Sequence, residues 1–353
     1  MKNSFFALIT LFVLLSSCNS NEKPDTGGLL PDATGGADEL LVFMEDAFVT
    51  DSLVQNIRKE MTDMYKILPQ SEVRFSITAV QHSKMNTILE RFRNPIFVIT
   101  KNETSSLYKE MLTKLTDSEK QTLQNQKDAI FFKNNLTANN QNVAIILVPN
   151  KEEIVSTLLK YKKEMFNFFD ENNLKFFKDL AYYDGVNKTL NKQFKKFHGL
   201  KFDVPNGFVL AKNENNLVLL RKEDVKSTLF LAIDVMEYND TISYNNLGIE
   251  KFNKTGKLLD GETEGSYVVA DTTLGFDIEK SLKNDLVIFE NAGLWIMQND
   301  YVGGGPFVNQ YIIDNKRKRV IYLQAMIYGP GEKKKKKYMR QFEAMFSTLE
   351  ILD

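Results

Sequence analysis

The chain has 353 residues, with 45 basic and 46 acidic side chains and a formal net charge of −1. So even a balance supplies no overall field for nucleic acid, and 43% hydrophobic residues are ample for a packed core. A single Cys excludes disulfides within the chain and thiolate zinc sites, and two His exclude a three-His metal site. No cofactor and no metal is expected.

Residues 1–17 read as an export signal. Lys2 is followed by the apolar run Phe5 to Leu15, which is too short for a membrane-spanning helix of roughly 20 residues. The run ends in Leu15-Ser16-Ser17-Cys18, which resembles a bacterial lipobox, and the only Cys stands where that reading requires one. The resemblance implies cleavage before Cys18 and fatty acylation of it, palmitate included, which anchors the chain to a membrane. Residues 18–38 hold four Gly, two Pro and no aromatic residue, and are expected to be a lipidated flexible tether. Asn19 after the Cys, where an Asp marks inner-membrane retention in better-studied systems, points to the outer membrane, with its face left open.

The expected fold class is α+β: an N-terminal βαβα half over 39–150, a helical middle over 151–199, and a C-terminal antiparallel sheet closed by a helix over 200–353. In the first half, Leu53, Ile57, Met61, Met64 and Leu68 recur at helical spacing after Asp51. Val73, Phe75, Ile77 and Ala79 alternate as in a half-buried strand, and Met85, Ile88, Leu89 and Phe92 resume the helical period. The unbroken runs Ile96–Ile99 and Val143–Val148 suit central strands covered on both faces. The middle is rich in aromatic residues, with breaks expected at Asn172-Asn173 and Asp184-Gly185. In the last part, Leu229, Leu231, Ile233 and Val235 alternate, a helix is expected near Asn245–Thr255, and several strands follow. Tyr338, Phe342, Met345, Phe346 and Leu349 mark the closing helix.

Several segments carry a resemblance: Leu68-Pro69-Gln70 with Glu72 and Phe75, Arg93-Asn94, Val204-Pro205 with Gly207-Phe208, Gly304-Gly305-Pro306-Phe307-Val308, and Tyr338-Met339-Arg340-Gln341 with Glu343-Ala344. Together they resemble a family of bacterial envelope lipoproteins known only as a domain of unknown function. That resemblance implies a membrane-anchored envelope protein and brings no activity or catalytic residue. The 200–353 half is loosely similar in element order to the photosystem-accessory (PsbP-type) α/β/α sandwich, a fold used mostly for binding.

Candidate sites are few, and no catalytic residue is assigned. Gly303-Gly304-Gly305-Pro306 lacks the Lys-Ser/Thr and following helix of a phosphate-binding loop, and reads as a connection between strands. Lys333, Lys334, Lys336 and Lys337, with Arg340, are candidate anion contacts, because lysines at a helix start oppose the macrodipole unless an anion meets them. Phe166, Phe168, Phe169, Phe176 and Phe177 are a candidate partner surface, with burial between the two β-containing halves as the plainer reading. His82 and His198 lack any flanking ligand pattern, although Ser-His-Asp triads assemble in space.

The leading expectation is a non-enzymatic envelope lipoprotein, held to the membrane through Cys18, that binds a protein partner or an envelope component. A hydrolase acting on cell-wall or glycan material and a small-molecule or lipid-binding accessory module remain open. A cleft with converging polar groups and perturbed carboxylates favours the hydrolase, an enclosed apolar cavity the carrier, and an exposed apolar patch the partner binder.

Overall fold

The unbroken apolar runs of the first half become the central strands of a five-stranded sheet. In chain order the elements are β1 (Glu39–Met44), α1 (Asp51–Met61), β2 (Ser76–Gln81), β3 (Pro95–Ile99), α2 (Ser106–Leu112), α3 (Asp117–Asn125), β4 (Ala129–Asn134) and β5 (Asn142–Leu147). The order across the sheet is β2-β1-β3-β5-β4, parallel except for β4. The computed structural model describes residues 30–214, 216–238, 244–283, 286–300 and 303–352, so the expected export signal and Cys18 lie outside the described residues.

Helices cover both faces of this sheet, which is why its central strands carry no alternation. Ile57 and Met61 of α1 pack with Leu40, Val42, Ile96 and Ile146 on one face. Leu107 and Met111 of α2 and Leu123 of α3 pack with Phe43, Phe97 and Ile145 on the other. Three expectations fail locally, the first being the helix from Asp51, which ends at Met61 and leaves Met64 and Leu68 outside it. The helical period over Met85–Phe92 forms turns, opened by the Asn86 carboxamide, whose oxygen accepts the N–H groups of Ile88 and Leu89 at 3.0 Å each. The strand expected from Val73 starts at Ser76, because Tyr65 and Arg74 first bond across a short bridge to Glu72 and Asp63.

The last residues assigned to the expected tether over 18–38 are bonded to the body. Thr34 N–H donates to the Arg91 carbonyl at 2.8 Å, the Asn94 side chain donates to the Ala37 carbonyl at 3.0 Å, and Ala37 is buried. These bonds hold the residues just before β1 against the body.

The middle is α4 (Ile154–Ala181) followed by α5 (Lys188–His198). The break expected at Asn172-Asn173 does not occur, and α4 runs for 28 residues. Buried Asn173 donates to the Ala37 carbonyl at 2.8 Å and accepts from Asn142 at 3.1 Å, so its side chain serves tertiary partners and leaves its own helix intact. The break at Asp184-Gly185 is real, with Gly185 at φ +86°.

The second half comprises β6 (Leu200–Lys201), β7 (Val209–Glu214), β8 (Leu217–Glu223), β9 (Thr228–Glu237), α6 (Tyr244–Gly256), β10 (Tyr267–Asp271), β11 (Asp277–Lys283), β12 (Leu286–Gln298), β13 (Gly304–Asp314), β14 (Arg319–Tyr328), α7 (Lys336–Phe346) and β15 (Glu350–Ile351). An eight-stranded antiparallel sheet runs β10-β12-β13-β14-β9-β8-β7, with β11 pairing the first part of β12. Met339, Phe342 and Met345 of α7 pack on Val308, Ile321 and Leu323, forming the core of one face. On the other face Phe252 of α6 stacks on Phe307 with ring centroids 4.1 Å apart. The mixed α+β class expected from the sequence is the one found.

The glycine run is part of a strand rather than a connection. Gly304 and Gly305 open β13, where a Cβ on Gly305 would stand 2.1 Å from the Ile327 carbonyl oxygen. Trp295 reaches past this bare position and donates its indole N–H to that same carbonyl at 3.2 Å. The next residue, Pro306, has no N–H to offer, so the indole supplies a donor at a place where the backbone lacks one.

Candidate functional site

Where the two halves meet, they leave a cleft of about 1250 Å³. The segment from Met64 to Ser71, between α1 and β2, forms one wall with the outer side of α4. The other wall is the α7-side face of β11, β12 and β13 together with α7. On β12 this face carries Leu286, Ile288, Glu290 and Ala292, alternate residues of one strand. Ile288, Ile312, Leu68 and Phe346 give the cleft an apolar floor.

A chain of alternating charges crosses the cleft. Lys66 is ion-paired to Glu290 of β12 and lies 2.7 Å from Glu343 of α7. Glu343 also accepts the Tyr65 hydroxyl at 2.5 Å and is held by Arg340 at 2.7 Å. Arg340 continues to Asp170 of α4 at 3.2 Å, and Asp170 is in turn paired to Arg74. Gln310 donates to the remaining oxygen of Glu290 at 2.7 Å. Three acids and three bases thus join β12, the 64–71 segment, α7, α4 and the approach to β2.

Burial opposes the charges of Glu343, Lys66 and Arg340, and neighbours of opposite sign overcome it. Burial raises the Glu343 carboxyl, but Lys66 and Arg340 more than reverse this and carry it down from 4.5 to about 2. Burial lowers Lys66, yet Glu343 and Glu290 hold it well above the ordinary lysine range. Arg340 is raised as well, by Glu343 and Asp170 against its own burial. Burial, then the Glu343 charge, lifts the Tyr65 phenol far above its usual value. General acid–base catalysis needs a group that titrates near the working pH. These four are driven away from neutrality, which suits them to fixing charge and shape.

The residues singled out from the sequence fare differently. Lys335 and Lys336 are buried, and the anion that meets the lysine run is internal: the Glu72 carboxylate accepts the backbone N–H groups of Lys335 and Lys336 at 2.6 and 2.9 Å. The Lys336 ammonium donates to the Val73 carbonyl at 2.6 Å and pairs with Asp38 at 2.7 Å. Lys337 lies 3.6 Å from Glu332, and Arg340 belongs to the cleft row, which leaves Lys333 and Lys334 as the exposed remainder without a built site. The five candidates therefore do not share one exposed face, since Lys336 and Arg340 are engaged within the protein.

The aromatic partner surface is not formed either. Phe166, Phe169 and Phe177 are buried, Phe168 stacks on Phe132 at 4.3 Å, and half-buried Phe176 lies under the Arg93 guanidinium at 4.6 Å. The helix sits between the halves, since Phe166 packs against the first sheet and Phe177 against Ala344 of α7. His82 lies outside the cleft, after β2. Its Nδ1 is 3.3 Å from the Ser106 hydroxyl and its Nε2 is 3.0 Å from Glu110. His198 stands apart at the end of α5.

Sequence reasoning missed Tyr65, Lys66, Glu290 and the role of Glu343. One signal was present: Glu290 occupies an inward position in an otherwise apolar alternation, and Arg340 and Glu343 interrupt the stripe of α7. A charge at a core-facing position needs a partner.

A family profile described as Domain of unknown function (DUF4837) matches residues 187–348, and another, Domain of unknown function (DUF8532), matches residues 33–181. The two matches fall on the two halves separately, and each is to a domain of unknown function. No curated protein matches the sequence. Among solved structures, the Ran-binding protein Mog1p of Saccharomyces cerevisiae is 10% identical, with a TM-score of 0.29 over 44% of this chain and 91% of its own. Human STARD10 is 8% identical with a TM-score of 0.22, over 46% of this chain and 80% of its own. A STAR-related lipid transfer protein from Xanthomonas axonopodis is 14% identical with a TM-score of 0.21, over 40% and 94%. Scores this low do not establish a shared fold.

Proposed function

We propose that this chain is a membrane-anchored envelope lipoprotein that binds an envelope component in the cleft between its halves. The observation that carries the binding reading is the cleft itself, with an apolar floor and a row of paired charges in which Glu343 and Lys66 are held far from neutrality. Acidic and basic side chains around it are equal in number, six of each, so it suits a ligand with an apolar portion and no large net charge. The volume exceeds the roughly 300–1,000 Å³ usual for drug-sized ligands, which favours something longer, such as a peptide or glycan stretch. The anchoring half of the proposal rests on Leu15-Ser16-Ser17-Cys18 behind an apolar run, and the outer membrane is its proposed address.

Both parts are testable. Cys18→Ser is expected to end incorporation of a fatty-acid analogue and to release the protein from membranes; continued labelling would remove the anchor. Ile288→Trp fills the cleft floor without touching the charge row. Native mass spectrometry of wild-type protein taken from envelope extracts should show a co-purifying mass that the Ile288→Trp protein lacks. Equal occupancy in the two proteins, or none in the wild type, would defeat the binding reading.

One observation favours hydrolysis as a second reading: Ser106, His82 and Glu110 are within hydrogen-bonding reach in that order, just beyond the carboxyl ends of parallel strands. Exposed Ser106 then labels with a fluorophosphonate probe and Ser106→Ala does not; an unlabelled wild type disposes of it.

A further inference from the structure

β11 is exposed at every residue from Asp277 to Lys283, and β12 is its only strand partner. Its outer backbone edge therefore meets no other strand among the described residues. Free edges of this kind are usually blunted by a bulge, a proline, charged side chains or a covering element. The opposite edge of the same sheet follows that rule, since β7 is interrupted between Leu210 and Lys212. β11 carries charged side chains but neither a bulge nor a proline. It pairs with β12 in unbroken register for seven residues, and it presents Ile278 and Leu282 at 48% and 72% exposure. An unbulged edge with two exposed aliphatic side chains on one face is a surface that another strand covers.

The sequence of β11 specifies which strand. Antiparallel pairing of β11 with a second β11 about a two-fold axis at Lys280 sets Asp277 opposite Lys283, Ile278 opposite Leu282, and Glu279 opposite Ser281, each pair occurring twice. Opposite charges meet opposite charges, aliphatic meets aliphatic, and every residue keeps its face of the sheet. The one discordant pair is Lys280 against itself. Lys280 already leans over the Phe289 ring on its own sheet, with its ammonium 5.4 Å from the ring centroid, so the two charges are drawn apart.

We infer that this edge is a homodimer contact, in which two copies of the chain join their eight-stranded sheets through antiparallel β11 strands. Six of the seven β11 residues also line the cleft, so the contact is tested by self-association and not by cleft binding. A seven-residue strand pair buries less than the roughly 1,200–2,000 Å² of a standard stable interface, so the dimer is reversible and dependent on concentration. Anchoring both copies to one membrane surface would raise their effective concentration and favour it.

Charge exchange tests the register. Asp277→Lys places Lys against Lys at both ends of the pair, and Lys283→Asp places Asp against Asp. Sedimentation velocity over a concentration series should show association of the full wild-type chain and monomers for each variant alone. An equimolar mixture of the two variants should associate again, because each then meets its complement. A mixture that stays monomeric overturns the inference, as does a monomeric wild type, which would leave the edge to a different protein. Association of the single variants by themselves would place the contact elsewhere and also overturn it. The Asp277 carboxylate also accepts the Ile67 N–H at 2.8 Å, so a second measurement avoids that residue. In a Cys18→Ser background, Lys280→Cys lies on the two-fold axis and should form an intermolecular disulfide under mild oxidation. Ile278→Cys on the same strand faces Leu282 and should not; equal cross-linking of both, or of neither, counts against the pairing.

Discussion

Glu343 is the residue on which the seam between the halves turns. Four groups converge on one carboxylate: Tyr65, Lys66, Arg340 and, through Lys66, Glu290. Its carboxyl titrates at about 2 in the folded protein and at an ordinary 4.5 when that environment is lost. A depressed carboxyl contributes stability that is fully present above the unfolded value and is lost as pH falls through the folded one. That contribution is roughly 3 kcal/mol at neutral pH and disappears between about 4.5 and 2. Glu343→Gln should therefore lower neutral-pH stability by about that amount and flatten the dependence of stability on pH across the same window. Urea denaturation at a series of pH values checks it, and an unchanged acid slope would show that the carboxylate is not linked to folding.

At the scale of elements, α7 shows how a local pattern is settled by distant residues. Five consecutive lysines at Lys333–Lys337 should discourage a helix start, since its free N–H groups favour negative charge. The fold supplies that charge from a residue far back in the chain, Glu72, which caps the backbone of Lys335 and Lys336. Glu72→Ala is expected to cost about 1–2 kcal/mol, with a smaller loss for Glu72→Gln, which keeps an acceptor and loses only the charge. Equal stabilities of the three proteins would mean that the cap contributes nothing. Long strands, the break at Gly185 and the stripe of α7 were legible in the sequence because their periodicity is local. The 28-residue run of α4 was not, because Asn173 is a helix breaker only while its side chain lacks partners, and those partners, Ala37 and Asn142, lie far away. The cleft was hidden for the same reason. Lys66, Glu290 and Glu343 come from three separate stretches, and only Glu290, a charge in an apolar alternation, hinted that something would meet it.

At the scale of the molecule, the two halves are matched by separate family profiles, yet α4 packs against both the first sheet and α7. The charge row then ties the second half to α4 and to the 64–71 segment. The expectation is one calorimetric transition for the whole chain. Arg340→Ala breaks the row between Glu343 and Asp170, and removing one partner of a buried pair typically costs about 3–5 kcal/mol. With that link gone the single transition should divide in two. A single transition in the variant as well would show that apolar contacts alone couple the halves.

The indole that bridges past Gly305 to the Ile327 carbonyl is also the only one in the chain, and it is 2% exposed. Intrinsic emission excited at the red edge of protein absorbance therefore comes from a single chromophore, seated in the second half. Its spectrum follows the opening of β12–β14 and ignores the first half, where secondary structure alone reports. The protein thus carries its own spectroscopic label for one of its two parts, and a difference between fluorescence and circular-dichroism midpoints would reveal, without any added dye, which part lets go first.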